Sequence, residues 1–156
     1  MAYFSTKRYG HSIGLSTCFR QPKAQSHCRF LHGYSLAFKF TFGCSALDER
    51  NWVVDFGGLE ALQARLEATF DHKVVLDKYE PYMDDFRALE DKGIIDIVVL
   101  DGVGVEKFAE HAYRFAVQVV NELTSGRCWV EEVECAEHGA NSAIYRRDPT
   151  LSQMTL

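Results

Sequence analysis

From residue 30 to residue 44 the chain alternates. Phe30, His32, Tyr34, Leu36, Phe38, Phe40 and Phe42 fall on one face of an extended strand, and Gly33, Ser35, Ala37, Lys39 and Thr41 on the other. The same period over residues 2–18 places Tyr3, Ser5, Lys7, Tyr9, His11, Ile13 and Leu15 together and predicts a long first strand. Residues 19–26, with Arg20, Pro22, Lys23 and Gln25, are a polar connection, so the two strands form a large antiparallel hairpin. Asp55 then opens a helix carrying Leu59, Leu62, Leu66 and Phe70 at helical spacing, which stops near Asp71-His72. An acidic, tyrosine-containing middle ends in the apolar run 94–100. The second helix covers 104–123, with Val105, Phe108, Ala109, Ala112, Ala116, Val119, Val120 and Leu123 as its apolar stripe. Strands over 128–136 and 142–147, turned by Glu137-His138-Gly139-Ala140-Asn141, complete the pattern.

The order strand, strand, helix, helix, strand, strand predicts an α+β domain. Its economical form is a four-stranded antiparallel sheet with two helices packed on one face. One domain spans 1–148, and 149–156 is expected to be a mobile tail. So small a sheet leaves edges and a face uncovered, so self-association is expected.

Composition narrows the classes. At 156 residues the chain buries a core without staples. A net charge of −5 argues against sequence-independent nucleic-acid binding, which needs a basic surface. No apolar run approaches the ~18 residues of a membrane span, and residues 1–10 lack the apolar segment of a secretion signal. Five cysteines, an odd number with no Cys-x-x-Cys pair, fit a reducing cytoplasm better than a disulfide framework.

The segment His27-Cys28-Arg29-Phe30-Leu31-His32-Gly33-Tyr34 puts a thiol and two imidazoles at a strand entrance, where packing gains nothing from them. His11 in one strand and His32 in its hairpin partner could share a metal, since cross-strand neighbours approach within ~5 Å; each could equally be a hydrogen-bonded structural histidine. Asp71-His72 reads either as a helix end, where an imidazole meets the last carbonyls, or as a carboxylate orienting an imidazole for proton transfer. Glu137 reads either as a solvated strand end or as a two-oxygen acceptor for an amidine-like ring edge, such as that of a pterin or guanine. Glu106 complements the dipole of the second helix.

Together these residues resemble the 6-pyruvoyl-tetrahydropterin synthase and 6-carboxytetrahydropterin synthase family over about residues 3–146. The family's strand histidine, followed by Cys-x-x-x-His-Gly-His, is matched by His11, Cys28, His32 and Gly33, with Tyr34 in the last position. Val53-Val54-Asp55-Phe56 matches the hydrophobic-Asp-Phe opening of the first helix and Phe70-Asp71-His72 its Leu-Asp-His close. Glu137 stands ahead of Ile144-Tyr145 as the family's glutamate does, whereas Val103-Gly104-Val105-Glu106 departs from Pro-Thr-x-Glu.

The resemblance implies the tunnelling fold (T-fold), with trimers closing their sheets into a barrel, two trimers stacking into a homohexamer, and active sites between subunits. It implies Cys28 as the proton-transferring thiolate, Asp71 and His72 as its partner pair, Glu137 as the pterin anchor, and zinc held by His11 and His32. With Tyr34 in place of the third imidazole, His27 is the preferred replacement. The alternatives are a Tyr34 phenolate, a weaker site completed by water, or no metal. The implied reaction is lyase chemistry on 7,8-dihydroneopterin triphosphate. The product is 6-carboxytetrahydropterin, on the route to queuosine and related deazapurines, or 6-pyruvoyl-tetrahydropterin. Two rival readings are a pterin- or purine-binding oligomer with lost or altered catalysis, and a bare assembly module.

Overall fold

In the computed structural model the described residues are 1–148 and Thr150; the rest of the expected tail, Pro149 and 151–156, lies outside them. The strands are β1 (Tyr3–Tyr9), β2 (Leu15–Phe19), β3 (His32–Cys44), β4 (Lys73–Asp77), β5 (Ile97–Leu100), β6 (Cys128–His138) and β7 (Asn141–Arg146). The helices are α1 (Glu60–Phe70), α2 (Met83–Asp91) and α3 (Val105–Thr124). The α+β class is as expected, but the sheet has seven strands rather than four, in the order β5-β4-β2-β3-β6-β7, with β1 also paired to β3.

The two unexpected strands of the middle segment are parallel: β4 pairs with β2 on one side and β5 on the other. The parallel strands read as short apolar runs without alternation, Val74-Val75-Leu76, all buried, in β4 and Ile97-Val98-Val99-Leu100 in the edge strand β5. The helix between them, α2, buries no residue completely.

The long first strand is broken. Tyr9 faces Phe38 and Leu15 faces Leu36, so residues 10–14 bulge out opposite Ala37 alone. A 3-10 turn at His11–Ile13 fills the break, and Gly14 closes it at φ 80°, a left-handed conformation that glycine adopts without steric cost. His11, expected inside a strand, therefore sits on this turn.

One face of β3 makes the core. Leu36, Phe38, Phe40 and Phe42 are buried against Leu62, Leu66 and Phe70 of α1 and Phe108, Ala112, Ala116 and Val120 of α3. Each such phenylalanine contributes roughly 2–3 kcal/mol by leaving water. Asp55 begins the first helical segment as expected, its carboxylate accepting from the Gly57 amide at 2.9 Å, through a 3-10 turn (Phe56–Leu59) that leads into α1.

Candidate functional site

Cys28 lies on a 3-10 turn (His27–Arg29) held by the loop before it. The Gln21 amide donates to the Cys28 carbonyl at 2.9 Å. The Arg20 guanidinium donates to the Arg29 carbonyl at 2.7 Å and to Glu80 at 2.5 Å. Glu80, only 5 % exposed, also accepts from the Tyr82 amide at 3.1 Å. The arginine of a largely buried ion pair and the Gln21 amide thus hold the backbone at and just after a half-buried thiol. Neither Arg20 nor Glu80 carried any signal in the sequence, because ion pairs between remote segments have no periodicity.

His32 opens β3. Its Nδ1 faces the Phe30 carbonyl at 2.7 Å, so Nδ1 carries the proton and Nε2 keeps its lone pair. Its ring lies 4.9 Å from that of Phe19 and 5.5 Å from that of Tyr34. Between them stands Gly33, where a Cβ would come within 2.6 Å of the Thr17 carbonyl oxygen, so β2 and β3 meet closely only because the side chain is missing. Burial, and then charge on Glu137 and on Cys28, push the Tyr34 phenol above its ordinary pKa. Cys28 and Glu137 thus both act electrostatically on Tyr34.

Glu137 is the extra residue of a β-bulge: Ala136 pairs with Ser142 and His138 with Asn141, leaving Glu137 without an opposite number. Bulges re-aim side chains beside functional sites. Below it, burial and the charges of Glu137, Glu106 and Glu134 push the Cys135 thiol well up. So Glu106, at the start of α3, adds its charge to the same region as Glu137. His138, not singled out in the sequence, brings its ring within 6.0 Å of the Tyr34 ring; only its place next to Glu137 pointed to it.

Asp71 and His72 follow α1. The His72 Nδ1–H donates to the Asp71 carboxylate at 2.7 Å, which leaves Nε2 outward as a base. Asp71 also accepts from the Ser16 amide at 3.4 Å. His72 takes a left-handed backbone at φ 55° and is largely exposed. The imidazole borders a cavity of about 430 Å³ with Ser16, Cys18, Tyr34, Ser35 and Lys73; Cys28 does not line it. Tyr34 is thus the residue common to both groups.

His11 is elsewhere. Its Nδ1 donates to the Ser35 carbonyl at 2.5 Å, and the Ser35 hydroxyl donates back to the His11 carbonyl at 2.7 Å. It lines a cavity of about 250 Å³ with Arg8, Lys39, Glu134 and His138. The expected cross-strand pairing of His11 with His32 does not form: the register of β1, continued without a break, would set His11 opposite Leu36, and beyond the break at residues 10–14 it is Phe19 that stands opposite His32. His27 is exposed on the Cys28 turn. Among the described residues no three His, Cys, Asp or Glu side chains gather as metal ligands. A three-imidazole zinc centre therefore does not fit this donor set.

Comparison with known proteins settles the kinship. The family model for 6-pyruvoyl tetrahydropterin synthase matches residues 11–148. The chain belongs to this family. Solved structures share the tetrahydropterin synthase fold at low identity. An uncharacterised protein of Wolinella succinogenes superposes with a TM-score of 0.77 at 17 % identity, over 95 % of this chain and 99 % of that one. The 6-pyruvoyl tetrahydropterin synthase of Plasmodium vivax gives 0.67 at 14 %, over 95 % and 99 %. That of Caenorhabditis elegans gives 0.56 at 12 %, over 95 % and 96 %. No curated protein sequence matches significantly.

Proposed function

We propose that this family member binds a pterin through Glu137 and rearranges its side chain by proton transfer. The substrate is 7,8-dihydroneopterin triphosphate; triphosphate is eliminated, the bond between the first and second side-chain carbons breaks with addition of water, the outer two carbons leave as acetaldehyde, and the product is 6-carboxytetrahydropterin, the precursor type required for deazapurines. What supports the reading is the family match over residues 11–148 together with the β-bulge that sets Glu137 apart at the end of β6. The Glu137 carboxylate offers two coplanar oxygens to the 2-amino group and ring N–H of a pterin. Cys28, on its tethered turn, moves a proton at the substrate side chain. The Asp71-oriented His72 supplies the second acid–base group, from another copy of the chain in a hexamer of two trimers. Nothing in this sequence of steps requires zinc.

The five free cysteines support a cytoplasmic location. Among the described residues no helix is long and apolar enough to cross a membrane.

Incubation of the purified protein with 7,8-dihydroneopterin triphosphate, followed by mass spectrometry of the products, tests the reading. Formation of 6-carboxytetrahydropterin that disappears in Cys28→Ala supports it; 6-pyruvoyl-tetrahydropterin would correct the product. Pterin binding without turnover would favour the second reading, a binding oligomer with altered catalysis, which the Phe19–His32 pairing motivates. Neither binding nor turnover would overturn both.

A further inference from the structure

The face of the hairpin that carries His32 is aromatic rather than rich in donors. Opposite His32 in β2 stands Phe19, 1 % exposed, with its ring tilted at 47° to the imidazole. Tyr34, two residues along β3, meets the His32 ring edge-on at 89° and lies 6.1 Å from the Phe19 ring. Behind them Phe108 of α3 packs edge-on to Phe19 at 5.1 Å. A zinc centre needs three or four nitrogen, sulfur or oxygen donors converging at about 2.0–2.3 Å on one point. Phe19 brings no lone pair, and its burial leaves no room to swing another ligand into its place. The Ser35 bonds hold His11 to the strand break.

We infer that this chain has replaced the metal seat expected of its family with an aromatic wall, and that it binds its flat heterocyclic ligand without a transition metal. His32 and Tyr34 are the accessible members of the wall and Phe19 is their backing. His32 presents a ring face and one Nε2 acceptor, and Tyr34 a ring and a hydroxyl. Such a surface suits a planar bicyclic heteroaromatic by stacking and edge contacts, about 0.5–1.5 kcal/mol per aromatic pair beyond area burial. The identity of the ligand rests on the pterin reading above; the absence of a metal requirement does not.

The test separates the two. Wild type, His32→Ala and Phe19→His/Tyr34→His are produced in zinc-supplemented medium, dialysed, and assayed for zinc by plasma mass spectrometry. Wild type is expected to hold zinc well below one per chain and the double variant to approach one, with a tetrahedral visible spectrum when cobalt replaces zinc. Neopterin binding by wild type, followed by fluorescence, is expected to keep its Kd within about twofold in EDTA and to weaken about tenfold in Tyr34→Ala. One zinc per wild-type chain that His32→Ala loses, or a neopterin Kd that rises tenfold in EDTA, would overturn the inference. Should the double variant fail to fold, the wild-type and His32→Ala measurements decide. Should wild type bind no neopterin, the pterin reading fails while the zinc content still decides the metal question.

Discussion

At the scale of single residues, buried polar groups do work that hydrophobic pattern does not display. The Tyr9 hydroxyl donates to the Leu59 carbonyl at 3.1 Å, and burial pushes its pKa up to about 12. In an unfolded chain a tyrosine titrates near ~10. Between those values the folded protein keeps a proton that the unfolded chain has lost. This contribution to stability is therefore full below pH ~10 and lost as pH rises through about 12. Urea unfolding followed across that window is expected to fall more steeply for wild type than for Tyr9→Phe; parallel curves would refute the assignment. The Arg20–Glu80 pair obeys a different rule. Glu80→Ala strands a buried guanidinium and is expected to cost about 3 kcal/mol, whereas Arg20→Met/Glu80→Leu removes both charges and stays within about 1 kcal/mol of wild type. A double-mutant cycle by urea denaturation measures this. The folded double variant is also expected to turn over more slowly, since the Cys28 turn has lost its tether. Alternation made Tyr9 legible as a strand residue, but its partner is 50 positions away and was not.

At the scale of elements, the contact between β2 and β3 decides the site. Gly33 lets the strands close up, so Gly33→Ala is expected to destabilise by about 1–3 kcal/mol through overpacking against the Thr17 backbone. A shift in the urea midpoint with unchanged slope checks it. The hairpin of residues 2–44 was legible because both halves alternate, and α1 and α3 because their apolar stripes repeat at helical spacing. The break at 10–14 was not. Period two runs through His11 and Ile13 as if the strand continued, and only the pairing of both halves with β3 exposes the extra residues. That break put His11 on a turn and set Phe19, in place of Leu15, opposite His32.

At the scale of the whole molecule, among the described residues a sheet of seven strands still ends in β5 and β7, and β1 pairs only with β3. Open edges of this kind are normally covered, which supports the closed hexamer proposed from the family. Cys28 and the Asp71–His72 pair line different parts of the chain. If each active site takes its thiol from one copy and its imidazole from another, mixing inactive Cys28→Ala with inactive His72→Ala through dissociation and reassembly restores part of the activity. Mixtures that remain as inactive as either parent would place both groups in one copy and refute the shared site.

The amino-acid sequence by itself determined the α+β class, the two packed helices and the long hairpin, because local periodicity and spacing encode which face a residue takes. Only the tertiary structure decided that β4 and β5 join the sheet, that Glu137 stands on a bulge, that Arg20 and Glu80 steady the thiol, and which ring faces His32. Those outcomes depend on strand register and on ion pairs between distant segments. Register is set by the sum of many pairings across the sheet, and a break of a few residues sets Phe19 rather than Leu15 opposite His32 without altering the local pattern.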